Sequence, residues 1–296
     1  MTGKICMVTG ATSGIGAVTA EALARQGATV IAVGRNPEKC EAQVELIRRK
    51  TGNRSVEYLV ADLSSRDEIR RLARQFQERY QRLDVLVNNA GGIFLRRQES
   101  VDGIEMTFAL NHLGYFLLTN LLLDTIKASA PARIVNVSSC GHLLAKGINF
   151  DDIQAKKGFR GGKVYFQSKL ANLLFTYELA RRLEGTGVTV NALDPGIVDT
   201  NIGMNNGWLL RVLKPVLGPL VNRLLRLKSV SAEEGARTTI YLATAPEVEE
   251  ITGRYFVEEK EVVSSEASRD EAAARRLWQL SEEMTALKGS MQLAAE

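Results

Sequence analysis

Seven short apolar segments alternate with longer amphipathic segments along most of this chain. The apolar segments are rich in Val and Ile without strict polar–apolar alternation, a pattern that favours parallel strands buried on both faces. They run over Lys4–Thr9, Thr29–Gly34, Val56–Ala61, Asp84–Asn88, Arg133–Ser138, Val188–Leu193 and Arg254–Val257. Between the first two segments, Ile15, Val18 and Ala22 follow helical spacing, and Gly27 stands where a helix would end. The repeat of strand, helix and strand predicts a doubly wound α/β fold with a seven-stranded parallel sheet.

The composition is that of one globular domain. Of 296 residues, 45% are hydrophobic and 24% are charged, which excludes a disordered or collagen-like chain. No linker rich in Pro or Ser divides the chain, so a single domain over residues 1–296 is expected. The net charge of +4 comes from interspersed charges, which do not indicate a nucleic-acid partner.

The cysteines and histidines argue against a metal site. Cys6, Cys40 and Cys140 are odd in number and form no Cys-x-x-Cys pair, and His112 and His142 are the two histidines. We therefore predict no metal and a reducing compartment. No segment reaches the 18 or so apolar residues of a membrane span, and the first apolar strand leaves no room for a signal peptide. A cytoplasmic location is the expectation.

A glycine-rich loop follows the first strand and opens the first helix. Residues 9–16 read Thr-Gly-Ala-Thr-Ser-Gly-Ile-Gly. Glycines let the backbone approach a pyrophosphate, and the free amides of a helix N-terminus attract its charge. The predicted cofactor contacts are Gly10, Ser13, Gly14, Ile15 and Gly16. The loop predicts a Rossmann-type nucleotide site, with a tight turn that binds nothing as the alternative.

The end of the second strand bears on the choice of nucleotide. Arg35 stands nineteen positions after Gly16, where an acidic residue would bind the ribose 2′-OH of NAD. An arginine suits a 2′-phosphate instead, so NADP is predicted, with a solvated surface arginine as the alternative. Asp62 and Leu63 follow the third strand and are predicted to contact the adenine end. Asp62 has a competing interpretation, because Ser65 and Glu68 resemble a capping box and Asp62 could simply lead into that helix.

Tyr165 and Lys169 lie four residues apart on an expected helix and so share one face. At about 4 Å and a dielectric near 20, a Lys cation contributes about 4 kcal/mol of Coulomb energy. At about 1.36 kcal/mol per pKa unit, Lys169 is expected to lower the pKa of the phenol by roughly 3 units. The pair alone also suits a tyrosine lying over a lysine stem on the surface.

The motifs together closely resemble the short-chain dehydrogenase/reductase family, in order and over most of the chain. They are Thr9–Gly16, Asn88–Gly91, Asn111, Ser138–Ser139, Tyr165–Lys169 and Pro195–Gly196. Longer stretches, including Asn111–Gly114, Ile148–Asp152 and Ser168–Asn172, resemble the retinol dehydrogenase branch. The last 40 or so residues carry no motif of that family.

The resemblance implies a role for each motif. Tyr165 would donate or accept the proton, Lys169 would support it electrostatically and bind the ribose, Ser139 would donate a hydrogen bond to the reacting oxygen, and Asn111 would hold a water. Further cofactor contacts are implied for Asn89, Ala90, Gly91, Pro195, Gly196, Val198 and Thr200. Asp194 departs from the His that the retinol dehydrogenase branch commonly has before Pro195. Cys140 beside Ser139 is interpreted as a bystander thiol.

Two regions depart from the alternating pattern. Residues 201–230 are rich in Leu and Val, carry five basic residues and have no acidic residue up to Ser229. We expect a lid on the substrate side, with Trp208 and Leu209 in its apolar wall and possible contact with an anionic membrane surface; burial against the domain is the alternative. Within 265–296, an apolar stripe predicts a last helix that docks on the domain, or else binds a partner.

These observations predict an NADP(H)-dependent oxidoreductase that moves hydride between nicotinamide and a carbonyl or alcohol. The expected substrate is a lipophilic small molecule, such as a retinoid, a steroid or an aliphatic or aromatic ketone. The rival hypothesis is an NADP-binding regulatory or scaffold protein with an idle site. A nucleotide-sugar epimerase fits the glycine spacing less well. A homo-oligomer is compatible with the sequence.

Overall fold

A computed structural model describes residues 1–198 and 229–287 of this chain. The strands of its main sheet are β1 Ile5–Thr9, β2 Thr29–Gly34, β3 Val56–Val60, β4 Val85–Asn88, β5 Ala132–Val137, β6 Val188–Asp194, β9 Tyr255–Val257 and β10 Lys260–Glu261. Their order in the sheet is β10-β9-β6-β5-β4-β1-β2-β3. The seven predicted parallel strands are confirmed. The short antiparallel strand β10 beside β9 was not predicted.

Helices cover both faces of the sheet. They are α1 Gly14–Arg25, α2 Pro37–Thr51, α3 Arg66–Arg79, α4 Met106–Phe108, α5 Gly114–Leu121, α6 Leu123–Ala128, α7 Gly161–Arg182, α8 Ala232–Thr244 and α9 Glu271–Thr285. Side chains of β1 alternate between the layers: Met7 packs with residues of α3, α5 and α7, whereas Cys6 and Val8 pack with residues of α1, α2 and α8. The doubly wound, single-domain α/β prediction is confirmed.

The sheet reverses its strand order at β1, which pairs in parallel with β2 on one side and with β4 on the other. In open α/β sheets, ligands bind in the crevice outside the carboxyl ends of the strands at such a point. The loops that follow β1, β4, β5 and β6 leave the sheet at the carboxyl ends of the strands, which form the edge that faces this crevice. They carry most of the residues that the motifs single out.

The last described helix, α9, packs on the domain. Leu277 and Trp278 are buried, and the guanidinium carbon of Arg182 lies 4.0 Å from the centre of the Trp278 ring. This geometry agrees with the docking interpretation of the apolar stripe. No helix within residues 1–198 and 229–287 is long and apolar enough to cross a membrane.

Most of the proposed lid lies outside the described residues. Trp208, Leu209 and the five basic residues of that segment are not among the described residues, and neither is Thr200. The described strands on either side, β7 Ile197–Val198 and β8 Ser229–Val230, pair in parallel as a separate two-stranded sheet. The chain therefore leaves and re-enters the described part at neighbouring positions.

Candidate active site

The glycine loop is pressed against the turn that follows β4. Gly10 and Gly14 have φ angles of +67° and +55°, which glycine adopts without strain. A Cβ on Gly10 would lie 2.9 Å from the Cα of Ala90, and a Cβ on Gly16 would collide with the carbonyl oxygen of Gly10. The loop requires glycine at these positions because the backbone comes so close.

The N-terminus of α1 has the properties of an anion site. Its first turn holds no acidic residue, and the N-cap residue Ser13 makes no side-chain hydrogen bond to the helix. Ser13 therefore offers no side-chain acceptor to the first-turn amides around Ile15 and Gly16, which as the first amides of a helix have no partner within it. The pyrophosphate of a dinucleotide fits this arrangement because it would accept from these amides and interact favourably with the helix dipole.

Arg35 is exposed and follows the end of β2 directly. A Cβ on Gly34 would lie 2.6 Å from the Cγ2 of Thr12, so the glycine loop touches the end of β2. Arg35 is therefore beside the glycine loop, at the edge where the sugar of a bound dinucleotide would lie. That position suits the predicted contact with a 2′-phosphate.

Asp62 and Leu63 lie just after β3. The Oδ1 atom of Asp62 accepts hydrogen bonds from the backbone N–H and the hydroxyl of Ser64. Ser65 caps α3 by accepting from the backbone N–H of Glu68. The Glu68 carboxylate accepts from the backbone N–H of Asp62, at 2.8 Å, so the capping box expected between Ser65 and Glu68 is not reciprocal. Glu68 instead fixes the backbone of the predicted adenine contact.

The turn after β4 is fastened to the end of β1 by hydrogen bonds. Asn89 donates from Nδ2 to the carbonyl oxygen of Thr9, at 2.8 Å, and the hydroxyl of Thr9 accepts from the backbone N–H groups of Asn89 and Ala90. A Cβ on Gly91 would lie 3.2 Å from Oδ1 of Asn111 and 3.7 Å from Nζ of Lys169. This turn thus connects the glycine loop with two of the predicted catalytic residues.

Asn111 lies in a π-helical turn, Ala109–Leu113, between α4 and α5. Such turns are rare and frequently occur at functional sites. The buried side chain donates from Nδ2 to the carbonyl oxygen of Gly92 and to the hydroxyl of Ser168, and its Oδ1 accepts from the backbone N–H of Gly92. Asn111 fastens the turn after β4 to helix α7. The predicted water contact stays a prediction.

The two serines after β5 have different environments. The hydroxyl of Ser138 is buried and donates to the carbonyl oxygen of Lys169, which ties β5 to α7. The hydroxyl of Ser139 is partly exposed and accepts from the backbone N–H of Gly141. It also acts on the Tyr165 phenol, where it opposes the effect of burial by lowering the pKa of Tyr165. Ser139 is therefore the serine positioned beside the predicted proton donor.

Tyr165 and Lys169 both lie on α7, as the sequence spacing predicts. Nζ of Lys169 is 5.8 Å from the centre of the Tyr165 ring and donates to the carbonyl oxygen of Val137. Burial raises the pKa of Tyr165 to about 12, although the Ser139 hydroxyl acts in the opposite direction. Burial also lowers the pKa of Lys169 to about 8. The predicted net fall in the pKa of the phenol is wrong, because desolvation of the phenolate dominates.

Asp194 lies in the site, although nothing in the sequence indicated that its charge would act on the predicted catalytic residues. It ends β6, is buried, and accepts from the backbone N–H of Gly196 through Oδ1. Its charge opposes the effect of burial on the pKa of Lys169 and reinforces the effect of burial on the pKa of Tyr165. It also adds to burial in raising the pKa of the Cys140 thiol, which is the opposite of an activated nucleophile.

The segment after β6 reaches the same edge of the sheet. Gly196 has a φ angle of +77°, and a Cβ there would lie 3.3 Å from a methyl group of Val230. Pro195 precedes it, and Val198 ends the short strand β7. The described part of this segment therefore adjoins the ends of β5 and β6, as a contact with the nicotinamide end would require.

Among the described residues, the structure brings the predicted catalytic groups together at one edge of the sheet. The fold and its glycine-rich turn define a dinucleotide-binding type of α/β protein. A model of the short chain dehydrogenase family matches residues 4–207. The chain belongs to the short-chain dehydrogenase/reductase family and is an oxidoreductase.

Known relatives share most of the chain. Retinol dehydrogenase 13 from Homo sapiens is 45% identical over 289 residues, which cover 97% of this chain and 86% of that protein. Polyprenol dehydrogenase from Homo sapiens is 42% identical over 288 residues, which cover 95% and 85%. The solved NADP active-site complex of RhlG from Pseudomonas aeruginosa superposes with a TM-score of 0.70 at 29% identity and covers 86% of this chain and 94% of that one. The two dehydrogenases place this chain in the retinol dehydrogenase-like branch of the family, as an oxidoreductase acting on CH–OH groups. The NADP complex supports a nicotinamide cofactor.

Proposed function

We propose that this protein is an NADP(H)-dependent oxidoreductase that interconverts a lipophilic alcohol and its carbonyl compound. The observation that carries the proposal is the grouping of Ser139, Tyr165 and Lys169 at the sheet edge that also holds the glycine loop. A bound nicotinamide would supply or accept the hydride. The groups of this chain would bind the cofactor, orient the carbonyl and transfer the proton.

Each polar group has a distinct part in that chemistry. In carbonyl reduction, the hydroxyls of Ser139 and Tyr165 donate hydrogen bonds to the substrate oxygen, and Tyr165 gives up its proton as negative charge develops there. A phenol whose pKa is about 12 is fully protonated at neutral pH, which suits it to donate. Lys169 stabilises the resulting phenolate while it is itself protonated.

The expected pH profile follows from the lysine. Tyr165 stays protonated from pH 6 to pH 10, whereas Lys169, whose pKa is about 8, loses its charge within that range. We expect kcat/KM for carbonyl reduction to be level near pH 6 to 7 and to fall as pH rises through about 8. The profile is measured with NADPH binding recorded at each pH as a control. A level profile up to pH 10 would rule out a supporting lysine cation.

NADP is preferred over NAD because Arg35 stands at the edge where the 2′-phosphate would lie. A guanidinium binds a phosphate through two charge-assisted hydrogen bonds, whereas the ribose 2′-OH of NAD favours a carboxylate. The solved complex of RhlG with NADP, a structural relative, supports the same choice.

We expect Arg35→Asp to lower the ratio of kcat/KM for NADPH to that for NADH by well over tenfold. The substitution replaces a phosphate ligand with a repelling carboxylate, and a tenfold change needs only about 1.4 kcal/mol. Arg54→Asp is the matched control, since it changes the net charge equally at an exposed position. Arg54 precedes the amino end of β3, whereas the predicted site lies at the carboxyl ends of the strands. An unchanged ratio in Arg35→Asp would show that Arg35 is a solvated surface residue.

Exposed apolar side chains support a lipophilic substrate. Four large apolar side chains are exposed shortly after segments that hold predicted site residues. They are Leu95 after Gly91, Leu143 and Leu144 after Ser139, and Ile197 after Gly196. Large apolar side chains exposed beside a polar site are typical of ligand clefts. Two relatives are named for their alcohols, retinol and polyprenol.

The proposal is tested by recording NADPH and NADH oxidation with aldehydes and ketones of increasing apolar size. We expect turnover with NADPH and a kcat/KM that rises with chain length. Tight NADPH binding without turnover on any substrate would favour the rival hypothesis of an idle, NADP-binding scaffold.

A further inference from the structure

His142 is fully buried three residues after Ser139, in the 3-10 turn Cys140–Leu144. Its Nδ1 lies 2.7 Å from the carbonyl oxygen of Ser139, which also accepts from the backbone N–H of His142. Two hydrogen bonds from one residue thus hold the backbone of the predicted catalytic serine. The described chemistry of proton transfer does not use this imidazole.

The partner of the other ring nitrogen fixes the proton position. Nε2 of His142 lies 3.3 Å from the backbone nitrogen of Ser265, and a backbone N–H can only donate. Nε2 therefore accepts, and Nδ1 carries the proton that it donates to Ser139. Burial lowers the pKa of His142, which keeps the ring neutral in this arrangement.

The segment that holds Nε2 is itself anchored to α7. The hydroxyls of Ser264 and Tyr177 are 2.7 Å apart, and so are those of Ser264 and Ser268. The hydroxyl of Ser268 donates to the carbonyl oxygen of Ser265. The His142 ring also meets the Tyr255 ring edge-on, with 5.0 Å between centroids. The imidazole is clamped between the turn that carries Ser139 and a segment that lies beyond the family match, which ends at residue 207.

We propose that His142 is a positioning residue that holds the Ser139 hydroxyl toward Tyr165 and couples it to the C-terminal segment 264–269. The inference rests on the proposed catalytic role of Ser139. Losing the imidazole removes one of the two hydrogen bonds to the carbonyl of Ser139 and leaves the N–H of Ser265 without its acceptor. The serine hydroxyl then samples positions from which it cannot reach the substrate oxygen.

We expect His142→Leu to lower kcat at least tenfold while the Kd for NADPH changes less than twofold. His142→Asn is the conservative variant, because its amide nitrogen can take the place of Nδ1 and donate to Ser139. It should recover most of the lost kcat. Ser265→Pro tests the other end, since it removes the donor at a residue whose φ of −57° suits proline. It should lower kcat in the same direction as His142→Leu.

A double-mutant cycle with Ser139→Ala separates positioning from general stability. If His142 acts through Ser139, His142→Leu will lower kcat in the parent but change it less than twofold in the Ser139→Ala background. An equal loss of kcat in both backgrounds would overturn the inference, as would a parent-like kcat in His142→Leu. If Ser139→Ala itself keeps parent kcat, the proposed catalytic role of Ser139 fails instead. Should His142→Leu not fold, the cycle is run with Ser265→Pro under the same criteria.

Discussion

Tyr165→Phe is expected to lower kcat about a thousandfold and to leave the Kd for NADPH within twofold of the parent value. The phenylalanine ring fills the same space on α7, but the transferable proton is gone, and positioned acid–base groups contribute about 10² to 10⁴ to rate. Loss in kcat without loss in binding is the signature of an interaction made in the transition state.

The measurement combines steady-state kinetics with a fluorescence titration of NADPH. Tyr58→Phe, on the edge strand β3, serves as the matched control and should keep parent kinetics. Turnover near the parent rate in Tyr165→Phe would remove Tyr165 from the mechanism. A large rise in the Kd for NADPH would show that the hydroxyl binds the cofactor instead of the reacting oxygen.

Lys169→Met is expected to abolish most activity and, at pH 7, to make the protein more stable. The lysine is buried, and its pKa is lowered from 10.5 to about 8 by that burial. A difference of about 2.5 units corresponds to a cost of about 3 kcal/mol for folding the charged form. Removing the charge relieves this cost, but loss of the hydrogen bond to Val137 offsets about 1 kcal/mol of the resulting stabilisation. A net gain of about 2 kcal/mol raises the Tm by several degrees.

The stability gain depends on pH with a definite sign. Below pH 8 the lysine is charged in both the folded and the unfolded protein, and the full cost of burial is present. Between pH 8 and pH 10.5 the unfolded chain binds a proton that the folded chain does not, so parent stability rises with pH relative to the variant. The difference in Tm between Lys169→Met and the parent should therefore shrink from pH 7 to pH 10.

Lys163→Met is the control for this comparison, because Lys163 is exposed on the same helix. It should change neither activity nor the pH dependence of the Tm. A lower Tm for Lys169→Met at pH 7 would mean that the charged lysine stabilises the fold through its neighbours, including Asp194.

Sequence periodicity was sufficient to predict the fold because buried parallel strands leave a plain signal. The Val-rich runs located the seven parallel strands of the main sheet, and the ends of β2 matched the predicted segment Thr29–Gly34. The two-residue strand β10 escaped detection, since Lys260 and Glu261 are exposed and carry no apolar pattern. A pairing made by backbone groups alone has no side-chain signature.

The site was predictable where chemistry follows local spacing and unpredictable where it depends on burial. The four-residue spacing of Tyr165 and Lys169 placed both on one helix. Their pKa values are set by desolvation and by the charge of Asp194, which lies some 25 positions further along the chain. The hydrogen bond from Ser265 to His142 joins residues more than a hundred positions apart, so no local sequence pattern predicts it.

Isotope labelling tests most directly whether this enzyme transfers a hydride from nicotinamide C4 to the carbonyl carbon of its substrate. The enzyme is incubated with a long-chain aldehyde and NADPH that carries deuterium on the transferred face of nicotinamide C4, and the alcohol is analysed by mass spectrometry. Direct transfer predicts one deuterium on the carbinol carbon of the product, at turnover that Tyr165→Phe abolishes. An alcohol without deuterium, or equal labelling at equal rate in Tyr165→Phe, would contradict the account.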